Sequence, residues 1–319
     1  MVATTSSTGE GWSSRTAFIL AAVGAAVGLG NIWRFPTLAG ESGGGAFVIV
    51  YIACVFLLGL PLVLSEIFIG RVGQTDAIGS IRRVAAQSQA SPGWSVFGAV
   101  GALAAFLIVA FYSVVAGWVL YYVGVMGSDL AQAIMAGDPF RGALAGESRE
   151  QIQQRLGDMF ANPGLLLAVH FLFMGLTLYI VARGVSSGIE KAATYLMPVF
   201  FVLLVGLVIY GAIEGDIGDA AAFLFTPDWS KLTPEVMNSA LGQALFSLSL
   251  GVAGLITYGS YIKEGSALGP TAAIIAIADT CVALLAGLMI FPIVFAVGLD
   301  PAAGPTLVFQ TLPFAFQTM

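Results

Sequence analysis

The sequence has few charged residues. Only 9% of its 319 residues are Asp, Glu, Lys or Arg, and 58% are hydrophobic, whereas soluble domains carry about a quarter charged residues. This composition excludes a soluble globular domain and indicates an integral membrane protein with several spans, in contact with membrane lipid. The net charge of −6 is the opposite of the basic surface that nucleic-acid binding requires, so no nucleic-acid partner is expected.

Cysteine and histidine are also scarce. Cys54 and Cys281 both lie in apolar runs, so they predict neither a disulfide framework nor a metal cluster. His170 is the single histidine, and its position in LLLAVHFLFMG favours a packed or interfacial role. Glycine, by contrast, is abundant. The 40 glycines fit a packed bundle of membrane helices, because small residues let such helices approach closely.

Apolar runs long enough to cross a bilayer, about 20 residues each, predict seven helical spans. They cover residues 14–38, 45–70, 95–127, 164–183, 189–213, 237–262 and 270–298. Short polar segments join most of them, and two longer loops are expected near 128–163 and 214–236. The chain is therefore predicted to be an all-α, polytopic membrane protein.

Charges at the ends of the spans predict the orientation, because Lys and Arg collect on the cytoplasmic side. With residues 1–13 as a cytoplasmic tail, the cytoplasmic ends carry Arg15, Arg71, Arg82, Arg83, Arg183, Lys191 and Lys263. The two long loops then face outside and are acidic, with Asp129, Asp138, Glu147, Glu150, Asp158, Glu214, Asp216, Asp219 and Asp228. We expect a multi-pass protein of the inner (plasma) membrane with a cytoplasmic N-terminus.

Two carboxylates lie within predicted spans. Asp279 is near the middle of the seventh span, in PTAAIIAIADTCVALLAGLMIFP. Because a charge in hydrocarbon is costly, we expect this carboxylate to be protonated, paired or bound to an ion. The alternative is a helix–helix hydrogen bond that only aids packing. Glu66, in LPLVLSEIFIG, leaves two interpretations open: a bond to irregular backbone of a neighbouring helix, or a direct functional role.

Two of the predicted spans are interrupted. The stretch AAVGAAVGLGNIWRFP (21–36) contains Gly24, Gly28 and Gly30, followed by Asn31 and Arg34. The stretch LGQALFSLSLGVAGLITYGSY (241–261) is interrupted by a glycine and two serines. Irregular backbone at membrane depth offers carbonyls to a cation and helix N-termini to a carboxylate. Plain helix packing through small residues is the alternative, but the polar residues beside both breaks favour a binding site.

A serine motif has to be weighed against this interpretation. GESGG at residues 40–44 matches the nucleophile elbow of serine hydrolases, and GESG matches a motif of intramembrane proteases. The elbow needs a strand–turn–helix context, and a serine nucleophile needs a base, for which His170 is the one candidate. A glycine-rich turn between the first two spans is therefore favoured, and no enzyme activity is expected.

Long motifs in the chain resemble a known family. GLGNIWRFP (28–36), ESGGGAFVIVY (41–51) and GQALFSLSLG with TYGSY (242–261) are closely similar to the neurotransmitter:sodium symporters, the LeuT-like amino-acid transporters. The resemblance runs through nearly the whole chain and implies a LeuT-type inverted-repeat fold with helices 1 and 6 broken. Residues 1–319 would form one incomplete transporter domain. It would comprise the first five-helix repeat (14–213), two helices of the second (237–298) and part of an extracellular loop (299–319).

The resemblance implies two sodium sites. The first would use the carbonyl of Ala26 and the side chains of Asn31, Ser247 and Asp279, completed by the carboxylate of the substrate. Such an all-oxygen set suits a hard cation. The second would use the carbonyls of Gly24 and Val27, with its remaining ligands on an eighth helix that this sequence does not contain.

The resemblance also implies a site for a small neutral L-amino acid. The residues that would bind it are Ala26, Gly28, Gly30, Ile108, Tyr112, Phe246, Ser247, Ser249 and Val252. Because Val252 is smaller than the aromatic residue of some relatives, we expect a large hydrophobic or aromatic substrate. One methylene of pocket fit changes binding by only about 1–3 kcal/mol, so this ranks substrates without naming one.

Two gates are implied. Tyr112 and Phe246 would form a thin outer lid, and Arg34 would be half of an outer gate whose acidic partner lies on a later helix. Gly188 and Pro198 have a glycine-x9-proline spacing that is linked in this family to unwinding of the fifth helix. Proline removes a backbone hydrogen bond and glycine lowers helix preference, so the segment is expected to open and let water reach the inner sodium. An ordinary kink is the alternative.

One departure from the family concerns chloride. Relatives that need chloride carry a small hydroxyl residue one turn beyond the sodium ligand of helix seven, where this chain has Ala283. The carboxylate of Asp279 would supply the negative charge instead, so we expect chloride-independent, Na⁺-coupled symport by alternating access. A non-transporting truncated membrane protein is the alternative. Because helices eight onward are missing, we expect the sequence to be a fragment of a longer transporter.

Overall fold

The fold is that of a helical bundle, seen in a computed structural model of the chain. The structure describes residues 11–138, 144, 146–262, 265–304, 307–309 and 312–313. Within these ranges all regular secondary structure is helical. Lys263, most of the predicted tail 1–13 and part of the predicted loop 299–319 lie outside the described residues.

Helices lie at all seven predicted spans, and two of these are broken. By length and apolar composition, five of the described helices could cross a membrane, or six if the bent pair of span 1 counts as one span. The continuous ones are Gly45–Gly73 (span 2), Pro92–Met135 (span 3), Pro163–Val181 (span 4), Val185–Glu214 (span 5) and Leu268–Ala296 (span 7). Span 1 consists of Arg15–Ala26 (1a) and Gly30–Glu41 (1b), which meet at an angle of 44°. Span 6 consists of Pro234–Ser247 (6a) and Gly254–Ser260 (6b). The predicted all-α fold with breaks in spans 1 and 6 is confirmed.

The predicted loop 128–163 is largely helical, which corrects the expectation. Span 3 continues to Met135, and a second helix, Arg149–Phe160, begins at a capping box formed by Ser148 and Gln151. Hydropathy ends the span at residue 127 because the next residues, SDLAQAIM, are more polar. Most of them are nevertheless good helix formers, so the helix runs on beyond the apolar part.

Other short helices connect the spans. Ile217–Phe225 and the 3₁₀ turn Trp229–Lys231 lie between spans 5 and 6, and Ala77–Gln87 lies between spans 2 and 3. Asp76 caps the latter helix, because its side chain accepts a hydrogen bond of 3.0 Å from the N–H of Gly79. That bond holds the pKa of Asp76 below its usual value.

Span 7 lies at the centre of the bundle. In its apolar part 61% of the residues are buried, compared with 0% for span 4. Span 7 contacts spans 1, 2 and 5 and the helix Ile217–Phe225. Small residues on its surface allow this close approach, and those fully buried include Ala272, Ala276, Ala283 and Ala286. The carboxylate of Asp279 therefore lies in the middle of the most enclosed helix.

The segment GESGG (40–44) ends helix 1b and, from Ser42 on, forms the predicted turn between spans 1 and 2. Gly43 and Gly44 have left-handed backbone conformations, with φ of 77° and 82°. A Cβ at Gly40 would lie 1.8 Å from the carbonyl oxygen of Pro301. Glycine is needed there because the segment after span 7 packs directly on the backbone of 1b.

Candidate functional site

The break in span 1 is a short extended joint. Helix 1a ends at Ala26, and Val27 takes an extended conformation while its N–H donates to the carbonyl of Val23 at 2.7 Å. Helix 1b then starts at Gly30 as a π-helical turn that runs to Arg34. The N–H groups of Asn31 and Ile32 both donate to the carbonyl of Gly28 at 3.1 Å. What the half-helix N-terminus offers a carboxylate is therefore mainly the partial positive charge of its helix dipole.

The three glycines of this stretch provide space rather than unusual backbone angles. None of them has a positive φ. A Cβ at Gly24 would lie 3.0 Å from the sulfur of Met197, and one at Gly30 would lie 3.5 Å from the ring of Phe246. A Cβ at Gly28 would meet nothing within 4 Å, so the backbone at Gly28 borders open space.

The break in span 6 has a different construction. Ser249, Gly251 and Ala253 all adopt left-handed conformations, with φ of 54°, 78° and 61°. The N–H of Gly251 donates to Oε1 of Glu66 at 2.8 Å. Of the two interpretations of Glu66, the structure therefore supports the one in which it bonds irregular backbone of a neighbouring helix.

A buried polar cluster joins the two breaks. Asn31 Nδ2 donates to Oδ1 of Asp279 at 2.7 Å, to the carbonyl of Asp279 at 3.0 Å and to Oγ of Ser247 at 3.1 Å. Ser247 Oγ donates to Oδ2 of Asp279 at 2.5 Å. The hydroxyl of Tyr51 lies 3.3 Å from the same Oδ2. Each of these four residues is at most 1% exposed.

This cluster has the chemistry of a site for a hard cation. Among the residues that the structure describes, the groups that bond the carboxylate of Asp279 are neutral, and a buried carboxylate is strongly stabilised by a positive charge. Oxygen atoms of Ser247, Tyr51 and Asp279 converge there, and oxygens are the ligands that hard cations prefer. The amide of Asn31 lies beside them with its Nδ2 towards Asp279. Asn31, Ser247 and Asp279 were predicted to lie together, and the structure brings them together.

Tyr51 is the member that the sequence analysis did not predict. It ends the motif ESGGGAFVIVY, and it is one of the few polar groups in the apolar run GAFVIVYIAC. A buried tyrosine hydroxyl generally finds a hydrogen-bond partner, and that rule could have pointed to it.

The other predicted ligands lie nearby, but in different surroundings. Ala26 ends helix 1a and is 5% exposed. Gly24 faces Met197 on span 5. The hydroxyl of Ser249 donates to the carbonyl of Ala25 at 3.0 Å. Ser249, predicted near the amino group of the substrate, thus ties the two breaks directly to each other.

Arg34, Phe246 and Tyr112 are in contact on the outer side of the cluster. The guanidinium carbon of Arg34 lies 4.6 Å from the centroid of the Phe246 ring, and the Tyr112 and Phe246 rings are 6.0 Å apart at 80°. Arg34 Nη1 donates to Oε1 of Gln243 at 2.7 Å, and Gln243 Nε2 donates to the carbonyl of Gly30 at 2.8 Å. Gln243, which the sequence analysis did not single out, links the predicted gate to the start of helix 1b.

A cavity of about 500 Å³ opens above these residues. Its lining combines aromatic, aliphatic and charged side chains: Trp33, Arg34, Thr37, Leu38, Glu41, Leu107, Ile108, Phe111, Tyr112 and Phe246. Ile108, Tyr112 and Phe246 thus share one surface, as predicted for the substrate pocket. In the described part of the chain, the lining does not include Val252, which lies in the break of span 6.

The predicted inner gate is helical in this structure. Gly188 lies in the π-helical turn Val185–Glu190, and Pro198 lies within the helix Lys191–Glu214. A Cβ at Gly188 would lie 2.1 Å from the carbonyl oxygen of Ile180, so glycine permits close packing against the end of span 4. The predicted opening of this segment stays a prediction.

The single histidine and the cysteines lie apart from the cluster. His170 is half-buried on span 4, with its ring centroid 5.6 Å from that of Phe171. Cys54 is half-buried and Cys281 is exposed, and both are free thiols. Over the residues that the structure describes, no group of three His, Cys, Asp or Glu residues could hold a metal ion.

The chain is similar to known transporters. A family profile described as the sodium:neurotransmitter symporter family matches residues 9–132 and 149–300. An uncharacterised sodium-dependent transporter of Bacillus subtilis (strain 168), YhdH, is 40% identical over 97% of this chain and 64% of its own length. An uncharacterised sodium-dependent transporter of Haemophilus influenzae is 38% identical over 96% of this chain and 65% of its own length. The chain therefore spans slightly less than two thirds of these curated relatives.

A solved structure is also similar. The crystal structure of MhsT in complex with L-phenylalanine superposes with a TM-score of 0.85 at 46% sequence identity. The match covers 98% of this chain and 67% of that one.

Proposed function

The chain belongs to the sodium:neurotransmitter symporter family, and from that premise we propose that the protein carries neutral L-amino acids across the membrane together with Na⁺. The family is one of sodium-coupled transporters rather than enzymes. The observation that carries the proposal is the buried carboxylate of Asp279, which is bonded both to the break of span 1 and to the end of helix 6a. A cation bound there would contact both broken helices at once, as alternating access by two moving halves requires.

Sodium is proposed as a co-substrate at two places. The first is formed by the side chains of Asn31, Ser247 and Asp279 with the carbonyl of Ala26. Its support is the burial of the carboxylate among neutral oxygen-bearing groups. The second uses the carbonyls of Gly24 and Val27, where the extended backbone at Val27 ends the regular hydrogen bonding of helix 1a.

The amino-acid substrate is proposed to bind between the two breaks. Its carboxylate would face the backbone around Gly28 and Gly30 and the hydroxyl of Tyr112, while its amino group would face the carbonyls near Phe246 and Ser247. Supporting this placement, the N-terminus of helix 1b carries a partial positive charge, and the space beside Gly28 is open.

We propose a large hydrophobic or aromatic substrate. The aliphatic and aromatic surface of Ile108 and Phe246, which both line the cavity, supports this class. A relative with 46% identity was crystallised with L-phenylalanine. Gating is assigned to Arg34, Tyr112 and Phe246 outside and to the segment from Gly188 to Pro198 inside.

The protein is proposed to lie in the inner (plasma) membrane with its N-terminus in the cytoplasm. Transport is proposed to be independent of chloride. Asp279 would supply the fixed negative charge near the sodium, and Ala283 offers no hydroxyl to a chloride ion. Ala283 is fully buried one turn from Asp279, so no other side-chain donor comes from that position.

Uptake by proteoliposomes tests the proposal. Labelled tryptophan or leucine should accumulate under an inward Na⁺ gradient and not when K⁺ replaces Na⁺. Gluconate in place of chloride should leave the rate unchanged, and unlabelled large hydrophobic amino acids should compete more strongly than glycine. Uptake without sodium would contradict symport, loss of uptake without chloride would contradict chloride independence, and a preference for glycine would contradict the substrate class.

A matched pair of variants tests whether the carboxylate of Asp279 takes the place of chloride. The double variant Asp279→Asn/Ala283→Ser removes the fixed negative charge and introduces the hydroxyl that chloride-dependent relatives carry. This double variant should need chloride for sodium-dependent uptake, whereas Ala283→Ser alone should not. Equal chloride responses of the two variants would show that Asp279 does not take the place of chloride.

A further inference from the structure

The amide of Asn31 is bonded at both ends. Its Nδ2 faces the carboxylate of Asp279 at 2.7 Å. Its Oδ1 accepts a hydrogen bond of 3.1 Å from the backbone N–H of Gly28. One side chain therefore contacts the proposed sodium ligand on one side and a backbone donor of the span 1 break on the other.

The orientation of this amide is dictated by charge. Reversed, it would place its oxygen against the carboxylate of Asp279 and its NH₂ group against the N–H of Gly28, and both contacts would be repulsive. A cation bound beside Asp279 would reverse the preferred orientation of the Asn31 amide. The NH₂ group would then repel the ion, whereas Oδ1 would be a good ligand for it.

Gly28 lies where a ligand could approach. Its backbone is partly exposed, and nothing lies within 4 Å of the position of a Cβ. Its N–H is a free donor only when Oδ1 of Asn31 is directed elsewhere. Both orientations of the amide are compatible with its terminal torsion, which is broad and roughly two-fold.

We propose that Asn31 is a two-position switch that makes substrate binding depend on sodium. Without Na⁺, Oδ1 of Asn31 covers the N–H of Gly28. With Na⁺ at Asp279, the amide turns its oxygen to the ion and releases that N–H for the carboxylate of the amino acid. This inference rests on the proposed sodium site, and it adds a reason for sodium to bind before the substrate.

Residue-resolved hydrogen exchange of the purified, full-length protein tests the switch without measuring transport. Exchange is compared in KCl and in NaCl at equal ionic strength, with no amino acid present. The Gly28 N–H should exchange up to about ten-fold faster in NaCl, a factor that one hydrogen bond of ordinary strength supports. Adding leucine or tryptophan with Na⁺ should slow it again.

Two neighbouring amides are internal controls. The N–H of Val27 donates to Val23 at 2.7 Å, and the N–H of Ile32 donates to the carbonyl of Gly28 at 3.1 Å. Both should exchange at the same rate in the two salts. A parallel rise at all three positions would indicate general opening of the break and would overturn the switch.

The variant Asn31→Ala provides a second check. It removes the side-chain oxygen that accepts from the N–H of Gly28, so this N–H should exchange fast in both salts. In the unmodified protein, equal exchange at Gly28 despite stabilisation against heat by Na⁺ would overturn the switch and leave symport standing. No stabilisation by Na⁺ and no sodium-dependent uptake would overturn the proposed function itself.

Discussion

The two breaks in the bundle are built by different means. In span 1 the chain leaves the helix through one extended residue, Val27, and no glycine of the stretch has a positive φ. In span 6 the chain passes through three left-handed residues, of which only Gly251 is a glycine. The first break thus carries little backbone strain, whereas the second places Ser249 and Ala253 in a conformation that disfavours L-residues.

The difference separates two roles of glycine. In span 1 glycine makes room, for Met197 beside Gly24 and for Phe246 beside Gly30. In span 6 glycine avoids the steric strain of a left-handed backbone at residue 251. The exposed N–H of Gly251 donates to Glu66. The polar ligands of the proposed site lie at the junction, where Asn31 and Ser247 meet on Asp279.

The largest expected effect follows from removing that junction. Asp279→Ala deletes the acceptor that both breaks share, and with it the fixed charge of the proposed sodium site. Sodium-dependent uptake in proteoliposomes should fall at least about ten-fold, which corresponds to about 1.4 kcal/mol of binding or barrier free energy. Cys281→Ala, an exposed position on the same helix, is the control and should retain uptake. Equal activity of the two variants would exclude Asp279 from the site.

The same substitution at two glycines tests the comparison directly. A Cβ at Gly28 or Gly251 meets nothing within 4 Å, but only Gly251 has a positive φ, of 78°. Gly251→Ala should therefore lower the free energy of unfolding by about 1–2 kcal/mol. Gly28→Ala should change it by less than about 0.5 kcal/mol, as unstrained and unhindered substitutions do.

Thermal unfolding in detergent measures both. Gly28→Ala places a methyl group in the proposed substrate space, so it should weaken amino-acid binding without loss of stability. If the two variants were equally stable, the breaks would not differ in backbone strain, and the distinction drawn between them would fail.

Substitution of Glu66 should lower the free energy of unfolding by less than Gly251→Ala does. Glu66→Ala leaves the N–H of Gly251 without its acceptor, which should lower stability by about 1 kcal/mol. Glu66→Gln keeps a side-chain oxygen that can accept this bond, and its loss should be at most half as large. A greater loss of uptake than of stability for the glutamine variant would favour the direct functional role for Glu66 that the sequence left open.

Much of this arrangement could be predicted from the sequence. Hydropathy predicts the spans, and clusters of polar residues beside glycine mark both breaks. An aspartate in an apolar helix predicts the centre of the cluster, because hydrocarbon penalises charge in every fold. Resemblance to a family then predicts that Asn31, Ser247 and Asp279 come together, although they are far apart in the chain.

The remaining features depend on tertiary contacts that leave no local signal. Tyr51 and Gln243 bond groups on distant helices, and one side chain in an apolar run does not reveal its partner. Hydropathy does not predict that span 3 continues to Met135, because it detects apolar segments that can lie in a membrane and not polar helix beyond them. The left-handed conformation of Ala253 is set by its neighbours, since alanine itself prefers right-handed helix.

Ala253→Gly should have the smallest effect, because three terms of similar size oppose one another. Removing the side chain relieves about 1–2 kcal/mol of left-handed strain. Glycine costs about 0.5–1 kcal/mol in backbone entropy, and the methyl group, which is 8% exposed and packs near Ile256, loses up to about 0.8 kcal/mol of burial. Thermal unfolding should therefore place this variant within about 0.5 kcal/mol of the unmodified protein. A clear gain in stability would mean that strain dominates the span 6 break, and a clear loss would mean that packing against spans 2 and 3 holds the left-handed turn in place.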